Sequence, residues 1–470
     1  MSEFDVIVIG LGPGGEDVAE ALARTGKSVL GIDKHLVGGE CPYYGCIPSK
    51  MMLRGAEVLQ EARRVLGLAG DTTVLPDFAP VHERIAREAT DNWDDHVAVE
   101  RFQGTGGTFA RGVGRLVGRD AQGRVQVEVG GQTHTGAHVV VATGTAPALP
   151  PIDGLAELRA TGSGPDGPVW TNRDAVKAPT APPSLIVIGA GPIGCELAQA
   201  FARFGTRVTL IGKEPRLLPR EEPEAADVLA QVFEREGITV HAGAEPTRVG
   251  PGGDGVELTL ADGTVVTGTK LLVAAGRIPN LGDLGLETVG LDPSARSLNV
   301  DEHMRVVRDD APVDGLYAVG DIAGHGAFTH LAVWQSRVLT AHLLGKDEPY
   351  GGYDALAWTT FTDPEIGHVG MTEQQARDAG LDVHTGTAQI AANTRGWIHG
   401  AGNDGFIKVV EDRSSGTLVG ATAVSPAGGE ILAVLTLAVH ARVPVRTLLS
   451  MHYVFPTLHR AVLEALQAID

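Results

Sequence analysis

The stretch Asp5-Val6-Ile7-Val8-Ile9-Gly10-Leu11-Gly12-Pro13-Gly14-Gly15 decides how the start of the chain folds. Its first five residues are mostly β-branched and apolar, which is typical of a buried parallel strand. A helical pattern follows the glycines and continues through Ala23. Gly10 allows a tight turn, Gly12 lets backbone approach a pyrophosphate, and Gly15 permits close packing of helix on strand. Glycines in this context predict a dinucleotide site, with the pyrophosphate at the helix N-terminus.

The next apolar run, Ser28-Val29-Leu30-Gly31-Ile32-Asp33, supports this interpretation. An acidic residue at the end of the second strand of such a unit binds the hydroxyl pair of a ribose. Asp33 has that place, and Lys34 beside it is a further candidate contact.

The same pattern occurs a second time. Ser184-Leu185-Ile186-Val187-Ile188 precedes Gly189-Ala190-Gly191-Pro192-Ile193-Gly194. Gly189, Gly191 and Gly194 therefore predict a second dinucleotide site. The duplication indicates one site for a flavin dinucleotide and one for a nicotinamide dinucleotide. Cys195, inside the helix that follows, is interpreted as a packing residue.

The end of the following strand bears on which nicotinamide nucleotide is used. A site specific for NAD normally places a carboxylate on the ribose here, and Gly212 cannot supply one. Lys213 and Arg216 could instead contact a 2′-phosphate, with Arg220 in reserve. The alternatives are surface charge, or recruitment of Glu214 for NAD. We favour NADPH, with NADH as the alternative.

Two of the three cysteines lie in Gly38-Gly39-Glu40-Cys41-Pro42-Tyr43-Tyr44-Gly45-Cys46-Ile47-Pro48-Ser49-Lys50. Residues five apart in an ideal helix are separated by about 7.5 Å along its axis. A disulfide needs Cα atoms within about 7 Å. A bridge between Cys41 and Cys46 would therefore require the backbone to leave helical geometry, which Pro42 and Gly45 make easier. Two buried free cysteines are the alternative.

The spacing Gly-Gly-x-Cys-x-x-x-x-Gly-Cys-Ile-Pro-Ser-Lys closely resembles the redox-active disulfide segment of the class I pyridine nucleotide–disulfide oxidoreductases. This flavoprotein family includes dihydrolipoamide dehydrogenase, glutathione reductase, mycothione reductase and mercuric reductase. The resemblance implies FAD as cofactor, Gly39 as one of its contacts, and a catalytic disulfide between Cys41 and Cys46. It makes Cys46 the thiolate next to the flavin and Cys41 the thiol that attacks substrate. It also implies that Lys50 pairs with Glu196 beside the flavin ring.

Further motifs extend the resemblance over essentially the whole chain. Gly112-Val113-Gly114-Arg115-Leu116 resembles the segment beside the adenine, and Val139-Val140-Val141-Ala142-Thr143-Gly144 resembles the first return strand. Leu316-Tyr317-Ala318-Val319-Gly320-Asp321 resembles the second flavin motif, whose aspartate binds the ribityl chain. Leu271 to Asn280 matches the link back to the flavin domain. The cofactor contacts implied by these motifs are Gly114, Ala142, Thr143, Gly144, Gly276, Gly320 and Asp321.

The implied fold is α/β, with two Rossmann-like dinucleotide-binding domains, for FAD and for NAD(P), and a C-terminal α+β dimerisation domain. The first part of the FAD-binding domain is expected at residues 1–152 and its second part at 281–347. The NAD(P)-binding domain is expected at 153–280, and the dimerisation domain at 348–470. The assembly is expected to be a homodimer.

The family pattern breaks near the C-terminus. Disulfide reductases of this family have a His-Pro-Thr segment with a glutamate five residues after the histidine, and the pair acts as acid and base for the substrate thiol. Here Phe455 and Arg460 stand at those positions. Because phenylalanine cannot move a proton, poor turnover of dihydrolipoamide, glutathione or mycothione is expected. His452, Tyr453 or His459 could be a displaced proton donor, and His459 joins Phe455 among the candidate catalytic residues.

Several functions remain open. One is a reductase whose acceptor needs little proton transfer, such as a quinone, dye, metal ion or activated disulfide; electrons could also leave the flavin directly. Another resembles 2-ketopropyl coenzyme M oxidoreductase/carboxylase, which also replaces the histidine with phenylalanine but has a histidine where this chain has Arg460. A flavin-containing redox sensor or scaffold is the non-enzymatic alternative.

The composition of the chain limits the kinds of partner that it can bind. The formal charge of −20 over 470 residues argues against nucleic acid and anionic membrane surfaces, which both require positive patches. No stretch is apolar over the length of a membrane span, and no signal peptide is recognised before the first strand. Three cysteines do not form a structural disulfide framework. We therefore expect a cytoplasmic protein with a small-molecule substrate and no metal site.

Overall fold

The computed structural model describes residues 2–253, 255–346, 348 and 350–470. Contacts divide the chain into two units, each assembled from three segments. The first unit contains residues 1–48, 83–148 and 277–352, and the second contains residues 49–82, 149–276 and 353–470. The domain limits expected at residues 152, 280 and 347 stay predictions.

A largely parallel sheet forms the centre of the first unit. Across the described residues its strand order is Arg305–Arg308, Ala311–Ala318, Gln132–Val141, Ser2–Ile9, Val29–Asp33 and Thr108–Arg111. Val125–Val129 pairs with Gln132–Val141, and Arg115–Arg119 pairs with Val125–Val129. Thr145–Pro147 and Arg277–Pro279 form a separate antiparallel pair. The longer helices are Pro13–Ala23, His96–Gly104 and Thr329–Leu343; shorter ones are Glu40–Tyr43, Ile85–Ala89, Asp91–Trp93, Leu286–Val289 and Asp321–Ala323.

The first strand shows why this sheet forms. Val6 to Ile9 are fully or almost fully buried, because parallel neighbours flank the strand and both of its faces are covered. Ile7 and Ile9 belong to one apolar core, whereas Val6 and Val8 belong to another on the opposite face. The alternation follows from the two-residue period of a strand.

The segment 149–276 of the second unit has its own parallel sheet. Its order is Thr239–Ala242, Arg207–Gly212, Ser184–Ile188, Lys270–Val273 and Val169–Trp170. Pro246–Gly252, Gly255–Leu260 and Val265–Gly268 form an antiparallel sheet that shares a core with it. The helices here are Leu155–Ala160, Asn172–Ala175, Pro192–Arg203 and Pro223–Arg235.

The C-terminal part of the second unit is an antiparallel sheet packed against helices. Its order is Ala357–Thr360, Glu365–Gly370, Thr417–Ser425, Phe406–Asp412 and Val383–Gln389. The helices are Glu373–Asp378, Ile390–Ala392, Thr394–His399, Gly428–His440, Val445–Leu449, Leu458–Arg460 and Ala461–Gln467. The predicted α/β class with an α+β C-terminal part is therefore confirmed.

The remaining helices are Cys46–Arg63, called here the cysteine helix, and Ala79–Arg84. The segment limits at residues 48/49 and 82/83 fall inside these two helices. A search of the described helices finds none with the length and hydropathy needed to cross a membrane.

Candidate functional site

The first glycine loop joins Ser2–Ile9 to helix Pro13–Ala23 in the first unit. Gly10 has a φ of +94°, and a Cβ there would lie 2.4 Å from the carbonyl oxygen of Ala142. A Cβ on Gly15 would lie 2.0 Å from the carbonyl oxygen of Gly10. A Cβ on Gly12 would meet nothing within 4 Å. The loop is thus packed tightly on the protein side and open at Gly12, beside the positive end of the helix.

Asp33 is fixed next to this loop. Its two carboxylate oxygens accept hydrogen bonds from the backbone N–H groups of Leu11 and His35, each at 2.7 Å. Lys34 is exposed, and Gly114 packs on Ile9, where a Cβ would lie 2.9 Å from a methyl group. The carboxylate at the strand end is therefore oriented by backbone, with lone pairs left for a further donor.

The cysteine segment begins against the same loop. Gly39 has a φ of +69°, and a Cβ there would lie 2.8 Å from Cα of Gly12. Cys41 lies in helix Glu40–Tyr43 and Cys46 starts the cysteine helix, with the helical path interrupted between them. Sγ of Cys46 lies 3.3 Å from Oγ1 of Thr329. Both thiols are half-buried.

Lys50 and Glu196 meet in the second unit, although they are far apart in sequence. Nζ of Lys50 lies 2.8 Å from Oε2 of Glu196, and Glu196 is only 5% exposed. Oε1 of Glu196 accepts a hydrogen bond of 2.9 Å from the backbone N–H of Phe361. Burial makes this carboxylate costly unless it is paired, and the lysine and the N–H group supply that pairing.

The second glycine loop repeats the geometry of the first. Gly189 has a φ of +115°, and its Cβ would lie 2.3 Å from the carbonyl oxygen of Ala274. A Cβ on Gly194 would lie 1.8 Å from the carbonyl oxygen of Gly189, whereas Gly191 again faces open space. Gly276 has a φ of +129° and is open as well. The helix that follows, Pro192–Arg203, is called here the second nucleotide helix.

Lys213 and Arg216, the candidate phosphate contacts, differ in availability. Lys213 is exposed and lies 3.3 Å from Glu245. Arg216 is half-buried and donates to the carbonyl oxygens of Pro219 and Glu221, at 3.1 and 3.4 Å. Arg216 thus supports its own loop, and Lys213 is the more accessible cation at this strand end.

Cys195 lies on the second nucleotide helix. It is completely buried, as predicted for a packing residue, and its thiol donates to the carbonyl oxygen of Ala190 at 3.4 Å. Burial raises the pKa of the Cys195 thiol, which keeps it protonated.

The C-terminal segment presents Phe455 at the surface, 61% exposed. The guanidinium carbon of Arg460 lies 5.5 Å from the centre of its ring, and Nε of Arg460 lies 4.0 Å from Glu464. Tyr453 is buried; its hydroxyl donates to the carbonyl oxygen of Leu448 at 3.2 Å, and burial raises its pKa. This phenol is therefore poorly suited to exchange protons with a substrate. His452 and His459 line a groove of about 500 Å³.

Three carboxylates in the second unit are close enough to share one cation: Glu222, Glu224 and Glu373. Nζ of Lys408 lies 2.8 to 3.0 Å from all three. Burial acts to lower the pKa of Lys408, but hydrogen bonds to these carboxylates raise it above its usual range. The lysine thus supplies the positive charge that this cluster needs.

Comparison with known proteins identifies the family. Residues 4–336 match the pyridine nucleotide-disulphide oxidoreductases, and residues 356–466 match the dimerisation domain of the same group. The chain belongs to the pyridine nucleotide-disulphide oxidoreductase family.

Relatives of the chain in this family include a dihydrolipoyl dehydrogenase and a mercuric reductase. The dihydrolipoyl dehydrogenase, of Chlorobaculum tepidum, is 31% identical over 487 residues, covering 99% of this chain and 96% of the relative. The mercuric reductase, of Streptomyces lividans, is 32% identical over 476 residues, covering 99% and 96%. The crystal structure of LpdA from Mycobacterium tuberculosis is 27% identical, covers 99% of both chains and superposes with a TM-score of 0.84.

Pyridine nucleotide-disulphide oxidoreductases use FAD and take electrons from NAD(P)H. Two features of the first unit fit a bound dinucleotide. The hydroxyl oxygen of Thr143 is buried and has no hydrogen-bond partner among the described residues. Gly12, on the first glycine loop, and Gly144, the residue after Thr143, both face open space. The predicted contact residues thus include a polar group that a ligand could satisfy.

Sequence reasoning missed a polar chain around Asp321 in this oxidoreductase. The Thr145 hydroxyl donates to Asp321 at 2.6 Å and accepts a hydrogen bond of 2.6 Å from Nε of Arg277. Arg277 also lies 3.4 Å from Glu40, the residue before Cys41. Arg277 directly follows Gly276 in the segment from Leu271 to Asn280. Nothing in the sequence of that segment specifies Thr145 or Glu40 as partners of Arg277. Gly320 donates its N–H to Gln335 at 2.7 Å.

Proposed function

We propose that the chain is an FAD-dependent NAD(P)H oxidoreductase that delivers electrons to the Cys41–Cys46 pair and then to a small acceptor, without a His–Glu acid/base pair. The contact of Gly39 with Gly12 carries this proposal, because it seats the cysteine segment against the first glycine loop. The exposed side chains of Leu437, Met451 and Val454 in the matched dimerisation domain support a homodimer. A cytoplasmic location remains a prediction.

Cys41 and Cys46 lie in different structural surroundings, which suit different roles in the proposed thiol–disulfide exchange. Cys46 starts an 18-residue helix, whose N-terminus favours a thiolate, and the Thr329 hydroxyl is close enough to donate to it. In the proposed relay, bound FAD supplies two electrons taken from the nicotinamide nucleotide. The Cys41 thiolate attacks an acceptor disulfide, forming a mixed disulfide and releasing one thiolate. The Cys46 thiolate then attacks Cys41, releases the second thiolate and restores the pair.

Lys50 and Glu196 are proposed to tune the flavin charge. The 2.8 Å ion pair holds a positive charge in a defined place, and the nearly complete burial of Glu196 limits its motion. A fixed cation near the ring favours its reduced, more negative form.

Phe455 and Arg460 define the class of acceptor. Neither side chain can exchange a proton at neutral pH, so acceptors that need little protonation are favoured: quinones, dyes, metal ions and activated disulfides. Phe455 at the position of the family's histidine also supports a second candidate, thiol attack on an electrophile without proton delivery by the protein. The remaining alternatives are direct electron transfer from the flavin to the acceptor and a sensor role. Titration with NAD(P)H and steady-state assays distinguish them.

Anaerobic titration of the purified holoenzyme with NADPH, and then with NADH, tests the proposal. We expect a long-wavelength absorption band from charge transfer between the Cys46 thiolate and the flavin, because electrons should reach the cysteine pair. Flavin bleaching without this band would contradict the cysteine relay. Absence of steady-state NAD(P)H oxidation with quinones, dyes and disulfides would favour a sensor.

The choice of nucleotide depends on Lys213. Lys213→Ala should raise KM for NADPH about tenfold and leave KM for NADH nearly unchanged, because a charge-assisted hydrogen bond to the 2′-phosphate is lost. Glu245→Gln is the matched control: it breaks the surface ion pair but keeps the lysine, so NADPH binding should be preserved or improved. Equal changes for both nucleotides in Lys213→Ala would refute the assignment.

A further inference from the structure

Three polar side chains on one face of the second nucleotide helix hold the segment that contains Phe361. Glu196 accepts from the backbone N–H of Phe361 at 2.9 Å. Gln199 accepts from the N–H of Asp363 at 2.8 Å and donates to its carbonyl oxygen at 2.9 Å. Arg203 donates to the Asp363 carboxylate at 2.8 Å. Because this backbone is held at both residues, the point from which the Phe361 side chain projects is fixed relative to the second nucleotide helix.

The ring of Phe361 covers Lys50. Nζ of Lys50 lies 4.6 Å from the ring centre, within the range of cation–π contacts. The same ammonium is bound by Glu196 at 2.8 Å and lies 3.4 Å from Oγ of Ser49. Lys50 is thus held between a carboxylate and an aromatic face.

We propose that Phe361 is a positioning residue for Lys50. An ion pair alone lets a long, flexible side chain sample several rotamers around its partner. The ring restricts these rotamers through its cation–π contact, while the Phe361 N–H group orients Glu196. The phenylalanine therefore supports both members of the pair, once through its side chain and once through its backbone. This inference rests on the proposed function, in which Lys50 tunes the flavin.

Two substitutions distinguish the effect of the aromatic face of Phe361 from the effect of its size. Phe361→Leu keeps an apolar side chain and the N–H group that binds Glu196, but it removes the π face. Phe361→Tyr keeps the face. In the holoenzyme we expect the flavin midpoint potential to become more negative, and the rate of flavin reduction by the nicotinamide nucleotide to fall about fivefold, in Phe361→Leu. Phe361→Tyr should match the unmodified protein in both measurements.

A Lys50→Met background shows whether the effect passes through the lysine. There, Phe361→Leu should leave the midpoint potential and the reduction rate unchanged, because no cation remains for the ring to hold. Equal behaviour of Phe361→Leu and Phe361→Tyr, or an undiminished effect of Phe361→Leu in the Lys50→Met background, would overturn the assignment. If the unmodified holoenzyme lacks the charge-transfer band, the cysteine relay fails; if the band is present and Phe361→Leu changes nothing, only the role of Phe361 fails.

Discussion

Cys41→Ser should abolish turnover of disulfide acceptors, with a loss of about 10³-fold or more, while the protein still accepts a hydride from the nicotinamide nucleotide. Cys41 is proposed to form the mixed disulfide, and a serine hydroxyl cannot attack sulfur in its place. Cys46 remains at the start of its helix, so its thiolate should still give the long-wavelength band. Stopped-flow reduction and steady-state disulfide assays on the same sample measure the two steps separately.

Cys195→Ser provides the matched control, because it removes a thiol of the same chain that is buried and hydrogen-bonded within its own helix region. Disulfide turnover should be retained in this variant. If Cys41→Ser also retained disulfide turnover, the thiol relay would be wrong, and electrons would leave the flavin directly.

Introducing a His–Glu acid/base pair at positions 455 and 460 should produce the second large effect. The unmodified protein is expected to turn over dihydrolipoamide and glutathione disulfide poorly, because Phe455 and Arg460 cannot relay protons. Phe455→His combined with Arg460→Glu should raise kcat/KM for dihydrolipoamide about 10²-fold or more, since a positioned acid/base group contributes 10²–10⁴-fold. The gain should depend on pH in the range where histidine titrates.

Phe455→Leu combined with Arg460→Glu is the control for this gain. It opens the same surface and inserts the same carboxylate, but supplies no titratable ring, so dihydrolipoamide turnover should stay low. Turnover by the unmodified protein at the rate of an ordinary family member would show that another group already moves the proton. His459, which lines the groove beside this segment, would then be the first residue to replace.

The parts of this protein that follow local rules could be predicted from sequence. Both glycine loops adopt the expected geometry because each pattern combines a strand, a tight turn and a helix within a few residues, and positive φ values at Gly10 and Gly189 require glycine. The alternation of Val6 to Ile9 between two cores follows from the strand period. The Lys50–Glu196 contact was foreseen only through resemblance, since no local rule joins residues that far apart.

Side-chain partners that depend on packing of distant segments could not be predicted. The ring of Phe361 lies over Lys50, and the second nucleotide helix holds the backbone that carries it. Arg216 looks like a phosphate ligand in sequence, but two carbonyl oxygens of its own loop satisfy part of its guanidinium. Arg277 bonds to Thr145 through a tertiary arrangement that its motif does not encode.

The burial of Cys195 also gives this protein an internal reporter of unfolding. Alkylating reagents attack accessible thiolates, and in the folded chain this thiol is fully covered and kept protonated by its raised pKa. After reduction, labelling of the native protein should therefore be confined to the half-buried pair at 41 and 46. Modification of the third cysteine marks the opening of the second nucleotide helix, so a count of labelled thiols distinguishes redox state from loss of structure in one sample.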